Sequence, residues 1–288
     1  MFEGAYTAIV TPFDRKGRVD YDKFRELIEL QIAGGIDGIV PVGTTGESPT
    51  LDFSEHKLMI ETAVKTAKGR IKVIAGTGAN STTEAVELTD FAARVGADGS
   101  LQVTPYYNKP TQEGLYRHFS MVADLGLPIV LYNIPGRCGV EIALETVFRL
   151  ARHPKVAAIK EAAGSVARVS QITGNCNLTV LSGDDPLTLP MMISGAKGVI
   201  SVAANVEPKP VADMVHHALA GRWAEAAALH RKFTPLFSDL FLETNPIPIK
   251  AAMAMRGLIE ETYRLPLCEM SPRNREKLAK TLQETHAP

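Results

Sequence analysis

Cysteine is scarce in this chain: Cys138, Cys176 and Cys268 are the only three among 288 residues, and they stand far apart. An odd, scattered set excludes a disulfide framework, and without CxxC spacing there is no thiolate metal knuckle; a reducing, cytoplasmic setting is expected. The seven histidines form no HExxH or comparable ligand pair, so no metal is expected. No apolar run approaches the ~18 residues of a membrane span. The opening MFEGAYTAIVTPFD lacks the basic start of a secretory signal, so NST (80–82) and NLT (177–179) read as chance matches to a glycosylation pattern. Neither sign of charge prevails: 31 Lys and Arg stand against 32 Asp and Glu. That balance excludes the basic footprint of a nucleic-acid or membrane-surface binder. A complete dinucleotide fingerprint is missing too, since GTGANS (76–81) has only two glycines and no sequel.

What is present is a repeating alternation. Short β-rich runs recur at YTAIV (6–10), IDGIVPV (36–42), IKVIAG (71–76), GSLQVTP (99–105), PIVLYN (128–133), VAAIK (156–160), LTVLSG (178–183) and GVISVAA (198–204). They are apolar on both faces, as parallel strands covered by helices should be. Amphipathic stretches lie between them, including 22–33, 54–68 and 82–95, each opening near an Asp or Ser suited to capping. GGIDGIV (34–40), VGADGSL (95–101) and SGAKGVI (194–200) repeat one helix-to-strand joint, with a glycine placed to end the helix. About eight such units predict a (β/α)₈ TIM barrel over residues 1–221, rather than a doubly wound open sheet. From Arg222 the strands stop, and residues 222–288 read as an appended C-terminal helical domain.

A barrel collects its chemistry where strands end. Those ends carry GTTGES (43–48), TPYYNKP (104–110), YNIPGR (132–137), Lys160 and SGDD (182–185). Lys160 sits inside AAIKEAAG, a run bound for the interior, where an ammonium is costly unless it is paired or gives up its proton. Such a lysine either snorkels out or pairs with Glu161, or it serves as an amine nucleophile toward a ketone. Its neighbours favour the last reading. Tyr132 can exchange protons with an imine precursor. GTTGE offers hydroxyls and backbone N–H groups to a carboxylate, and Arg137 can grip a second carboxylate. Taken alone, GTTGE is an ordinary turn, Arg137 a solvated loop residue and Tyr107 a packing residue.

Taken in order, GIVPVGTTGESPTLDFSE, VTPYYNKPTQEGLYRHF, YNIPGRCG, IKEAAG, LSGDD, GVISV and NPIPIK resemble the dihydrodipicolinate synthase/N-acetylneuraminate lyase family, pyruvate-dependent class I aldolases. The likeness extends over essentially the whole chain. It implies a barrel with a helical tail, Lys160 forming a Schiff base with pyruvate, and no other cofactor. It implies Tyr132 as proton donor and acceptor, with Thr44 relaying protons between it and a Tyr107 that crosses from a neighbouring subunit of a homotetramer. Thr45, Gly183 and the main chain at Ile200 would hold the substrate. Arg137 resembles the synthase branch, a carbon–oxygen lyase joining pyruvate to L-aspartate-4-semialdehyde in lysine biosynthesis. Ser48, Pro49, His56, Asn80, Glu84 and Tyr106 correspond to the family's lysine-inhibition site. Cys138, Pro49 and Ala163 depart from the usual pattern without removing a catalytic group. The alternatives are a family enzyme acting on a 2-keto-3-deoxy sugar acid or 4-hydroxy-2-oxoglutarate, and a silent barrel sensing lysine or a keto acid.

Overall fold

Each apolar run yields a strand in the computed structural model, which describes residues 1–285. The strands are β1 (Gly4–Thr7), β2 (Gly38–Ile39), β3 (Lys72–Gly76), β4 (Gly99–Val103), β5 (Ile129–Asn133), β6 (Val156–Glu161), β7 (Thr179–Ser182) and β8 (Gly198–Ser201). They pair in chain order, all parallel, and β8 closes on β1 to complete a barrel. The helices of the barrel are α1 (Tyr21–Ala33), α2 (Phe53–Ala67), α3 (Thr82–Val95), α4 (Gln112–Ala123), the short α5 (Pro135–Cys138), α6 (Leu144–Leu150), α7 (Val166–Asn175), α8 (Thr188–Ile193) and α9 (Pro208–Leu219).

The two-residue period of the strands sorts their side chains into two cores. Ile39, Val73, Ile129, Leu131, Ile159, Val180 and Val199 face outward to the helices. Tyr6, Val40, Ile74, Leu101, Val130, Ala158, Leu181 and Ile200 fill the barrel interior together with Phe2. Burying each large apolar side chain contributes about 1.5–3 kcal/mol over leaving it exposed. Interior packing stops at Tyr132 and Lys160, where the barrel opens at the carboxyl ends of its strands.

The repeated joint recurs in space. Gly35, Gly96 and Gly195 all adopt positive φ, at 78°, 90° and 105°, a region costly for a residue with a Cβ. Asp20 and Asp52 cap α1 and α2 through their side chains, whereas Ser81 makes no side-chain cap to α3. Two strands differ from expectation. The first begins and ends earlier than 6–10, because Gly4 to Thr7 carry the ladder to Gly198–Ser201. The second keeps only Gly38 and Ile39, since Pro41 has no N–H to give and Val42 turns out of the sheet at φ 56°.

After Gly221 come α10 (Trp223–Asp239), α11 (Ile247–Met255) and α12 (Pro272–Thr285). Helix α10 packs on α9 and α12, and α11 packs on α12. The segment entering α11 lies over the barrel mouth, where Phe241 and Asn245 line the same cavity as Lys160. Among the described residues no helix is long and apolar enough to cross a membrane.

Candidate active site

Lys160 and Tyr132 are register partners on β6 and β5, so both project into the barrel at the same level. Lys160 is 6% exposed, and its Nζ lies 4.1 Å from the centre of the Tyr132 ring. Gly183, just past β7, makes room for it: a Cβ there would sit 2.9 Å from Lys160 Cε. The mouth encloses a cavity of about 50 Å³ lined by Thr44, Thr45, Tyr132, Arg137, Lys160 and Gly183, with Phe241 and Asn245 from the tail.

Burial pulls the Lys160 pKa down to about 7, helped by the positive charge of Arg137 and opposed by the carboxylate of Asp185. The amine is therefore neutral in a large fraction of molecules at neutral pH. Burial pushes the Tyr132 phenol up to about 12, opposed by Arg137 and by a hydrogen bond with the Thr44 side chain. Tyr132 thus stays protonated and linked to Thr44. Glu161, the sequence neighbour of Lys160, points the other way. Its buried carboxylate accepts from Asn133 Nδ2 (2.9 Å), Ala163 N (3.0 Å) and Arg168 Nε (2.9 Å).

Two expected residues lie outside this cavity. The Ile200 side chain is packed in the barrel interior, and its backbone is paired with Tyr6. Tyr107 is 91% exposed, with φ 73°, and does not line the cavity of its own chain. Of the residues assigned to a lysine site, Ser48, Pro49 and Tyr106 line a second cavity of about 200 Å³, together with Thr44, Arg137 and Cys138. Asn80 Nδ2 donates to Tyr106 O at 3.3 Å, and Glu84 lies close enough for its charge to raise the Tyr106 phenol pKa, after burial. His56 is buried on α2; its Nε2 donates to Gly76 O at 2.8 Å, and burial lowers its pKa to about 4.

Several site residues escaped the sequence reading. Asn245 Nδ2 donates to Thr45 Oγ1 at 3.0 Å, while its backbone oxygen accepts from Arg137 Nη2 at 3.0 Å. Its Oδ1 is buried without a partner among the described residues, a free acceptor on a residue that lines the cavity. Asp185 Oδ2 accepts from Val202 N (2.9 Å) and Ala203 N (3.0 Å), fixing the chain after β8. Lys250 is wholly buried against Glu47. IPIKAAMAM carries the same signal as AAIKEAAG, a lysine within an apolar run, and that signal could have found it.

A closed parallel barrel holding a desolvated lysine beside a protonated tyrosine at its mouth defines a Schiff-base-forming barrel enzyme of the class I aldolase type. Residues 1–285 match the model of the dihydrodipicolinate synthetase family, and the chain belongs to that family. It is 53% identical over 287 residues to the 4-hydroxy-tetrahydrodipicolinate synthase of Geotalea daltonii, covering 99% of each chain. Among solved structures, the chloride-inhibited dihydrodipicolinate synthase of Acinetobacter baumannii complexed with pyruvate is 44% identical, with a TM-score of 0.97 and 99% of each chain covered. The synthase of Cyanidioschyzon merolae with lysine bound is 39% identical, with a TM-score of 0.95, covering 99% of this chain and 98% of that one.

Proposed function

We propose that this chain condenses pyruvate with L-aspartate-4-semialdehyde to give 4-hydroxy-tetrahydrodipicolinate and water, a committed step toward lysine. The observation that carries the reading is the desolvated Lys160 amine facing Tyr132 inside the mouth. The amine adds to the keto carbon of pyruvate, and the ketone oxygen takes a proton from Tyr132 as the carbinolamine forms. Loss of water leaves an iminium on Nζ, which acidifies the pyruvate methyl group. Removal of one methyl proton gives an enamine that attacks the aldehyde carbon, and the new alkoxide is protonated. The substrate's own amine then displaces Nζ and closes the ring, returning Lys160 to its free state.

Thr44 passes protons between Tyr132 and Tyr107 of a neighbouring copy. Thr45, Gly183 and the main chain at Ile200 hold the pyruvate unit, and Arg137 holds the carboxylate of the aldehyde. No cofactor enters this scheme beyond the substrate carried on Lys160. The exposure of Tyr107 on a left-handed loop supports its use by another copy, within a homotetramer built as a dimer of dimers. Residues 1–221 act as the catalytic barrel and those from 222 onward as a helical domain, of which 286–288 lie outside the described residues, in a cytoplasmic enzyme. Lysine occupies the second cavity and the cluster around Tyr106, lowering the rate by feedback; a flat response up to millimolar lysine rejects that part.

Borohydride reduction in the presence of pyruvate tests the core of the reading, with a mass adduct expected on Lys160 and none in Lys160→Ala. An unmodified wild-type chain leaves only a sensor. Turnover with 2-keto-3-deoxy sugar acids or 4-hydroxy-2-oxoglutarate, and none with the semialdehyde, assigns a different branch.

A further inference from the structure

The loop that carries Thr44 and Thr45 is held in an unfavourable shape. Val42 and Glu47, at its two ends, both adopt left-handed backbone at φ 56° and 55°, though neither is glycine. Internal hydrogen bonds from Gly46 N and Ser48 N to Gly43 O and from Glu47 N to Thr44 O fold it tightly. A non-glycine residue persists in that region only where its surroundings impose it.

The surroundings come from the far end of the chain. Glu47 Oε1 accepts from Lys250 Nζ at 2.5 Å, across 203 positions of sequence, and both side chains are wholly shielded from water. The ammonium lies 4.3 Å from the centre of the Phe13 ring and 5.3 Å from that of Tyr263, and Arg264 N reaches Glu47 Oε2 at 3.4 Å. In the segment that leads into the same helix, Asn245 donates to Thr45 Oγ1. Helix α11 and the segment leading into it therefore grip the loop twice, at Thr45 through the amide of Asn245 and at Glu47 through the ion pair with Lys250. A buried pair is seldom more stabilising than a well-packed apolar one; what it imposes is a fixed geometry.

We infer that Glu47 and Lys250 are positioning residues for the reaction: through their desolvated ion pair, α11 fixes the strained turn that aims the Thr44 and Thr45 hydroxyls into the Lys160 cavity. The inference rests on the roles given above to those two threonines. It explains why the C-terminal helices are part of the catalytic apparatus although no titrating group of theirs lines the cavity.

The test uses Glu47→Gln, which keeps shape, and Glu47→Leu with Lys250→Met, which removes both charges together. Three quantities are read for each: the thermal midpoint, the fraction of Lys160 trapped by borohydride with pyruvate, and kcat and KM in the condensation assay. A merely structural defect lowers trapping and turnover in proportion, because both count folded molecules. The positioning role predicts near-complete trapping, with kcat per trapped site down at least tenfold and KM for pyruvate raised several-fold. If the double variant does not fold, Glu47→Gln decides alone. Turnover per trapped site within twofold of wild type, in either folded variant, overturns the inference. Absence of trapping in the wild type instead overturns the proposed function, so the two failures are separable.

Discussion

Lys160 and Tyr132 face each other across one rung of the β5–β6 ladder, with the lysine nitrogen 4.1 Å from the centre of the tyrosine ring. The contact places nucleophile and proton source side by side before any substrate arrives. It also makes the amine's charge state sensitive to the few charges in its surroundings.

The rate of iminium formation follows the neutral fraction of Lys160, so kcat/KM for pyruvate should rise with pH through an inflection near its pKa of about 7. Asp185 raises that pKa, so Asp185→Asn should move the inflection to lower pH. A pH–rate profile on both proteins checks this; an unmoved inflection removes Asp185 from the electrostatics of the site.

A lysine whose pKa drops on folding binds its proton more weakly in the native state than in the unfolded one. Its burial cost is full below about pH 7 and fades as pH rises toward the ordinary value of 10.5. Lys160→Met should therefore stabilise the fold at pH 6 by on the order of 4 kcal/mol, with the gain shrinking at pH 10. Denaturant unfolding at the two pH values measures it, and an equal gain at both contradicts the shift.

The histidines act in the opposite pH range. His56 and His118 are buried, with pKa values lowered from 6.5 to about 4. Between those limits the unfolded chain takes up protons that the native chain does not, so stability should fall as pH drops from 6.5 toward 4, by up to on the order of 3 kcal/mol for each. His56→Gln should flatten that dependence. Equal slopes in the two proteins count against a neutral, buried His56.

Asn245→Ala removes the donor to Thr45 and disturbs the turn that Arg137 grips. KM for pyruvate and for the semialdehyde should both rise about tenfold, equivalent to ~1.4 kcal/mol of binding each. Trapping of pyruvate on Lys160 at saturating concentration should persist. Unchanged KM values would show that the bridge has no part in binding.

The barrel was legible because two periodicities and one repeated glycine joint recur along the chain, and Lys160 because an apolar run makes a lysine conspicuous. Tyr132, Thr44, Thr45 and Arg137 followed from the rule that strand ends converge, Gly183 followed as a site residue only from the family resemblance, and all five line one cavity. Lys250 was conspicuous in its apolar run, as Lys160 was, but Asn245, the role of Asp185 within SGDD and the pairing of Lys250 with Glu47 were not legible. Their contacts join positions as much as two hundred residues apart, and no local pattern encodes such a meeting. The pairing partner of Glu161 was hidden for a related reason: adjacency in sequence suggested Lys160, whereas the pleat sends Glu161 to Arg168.

That pleat makes β6 tolerant of altered letters but not of an altered count. One extra residue between Val156 and Ile159 would exchange the inner and outer sides of the strand. The amine would then turn toward the guanidinium of Arg168 beneath the helices, and the side chain of Ile159 would take its place in the mouth.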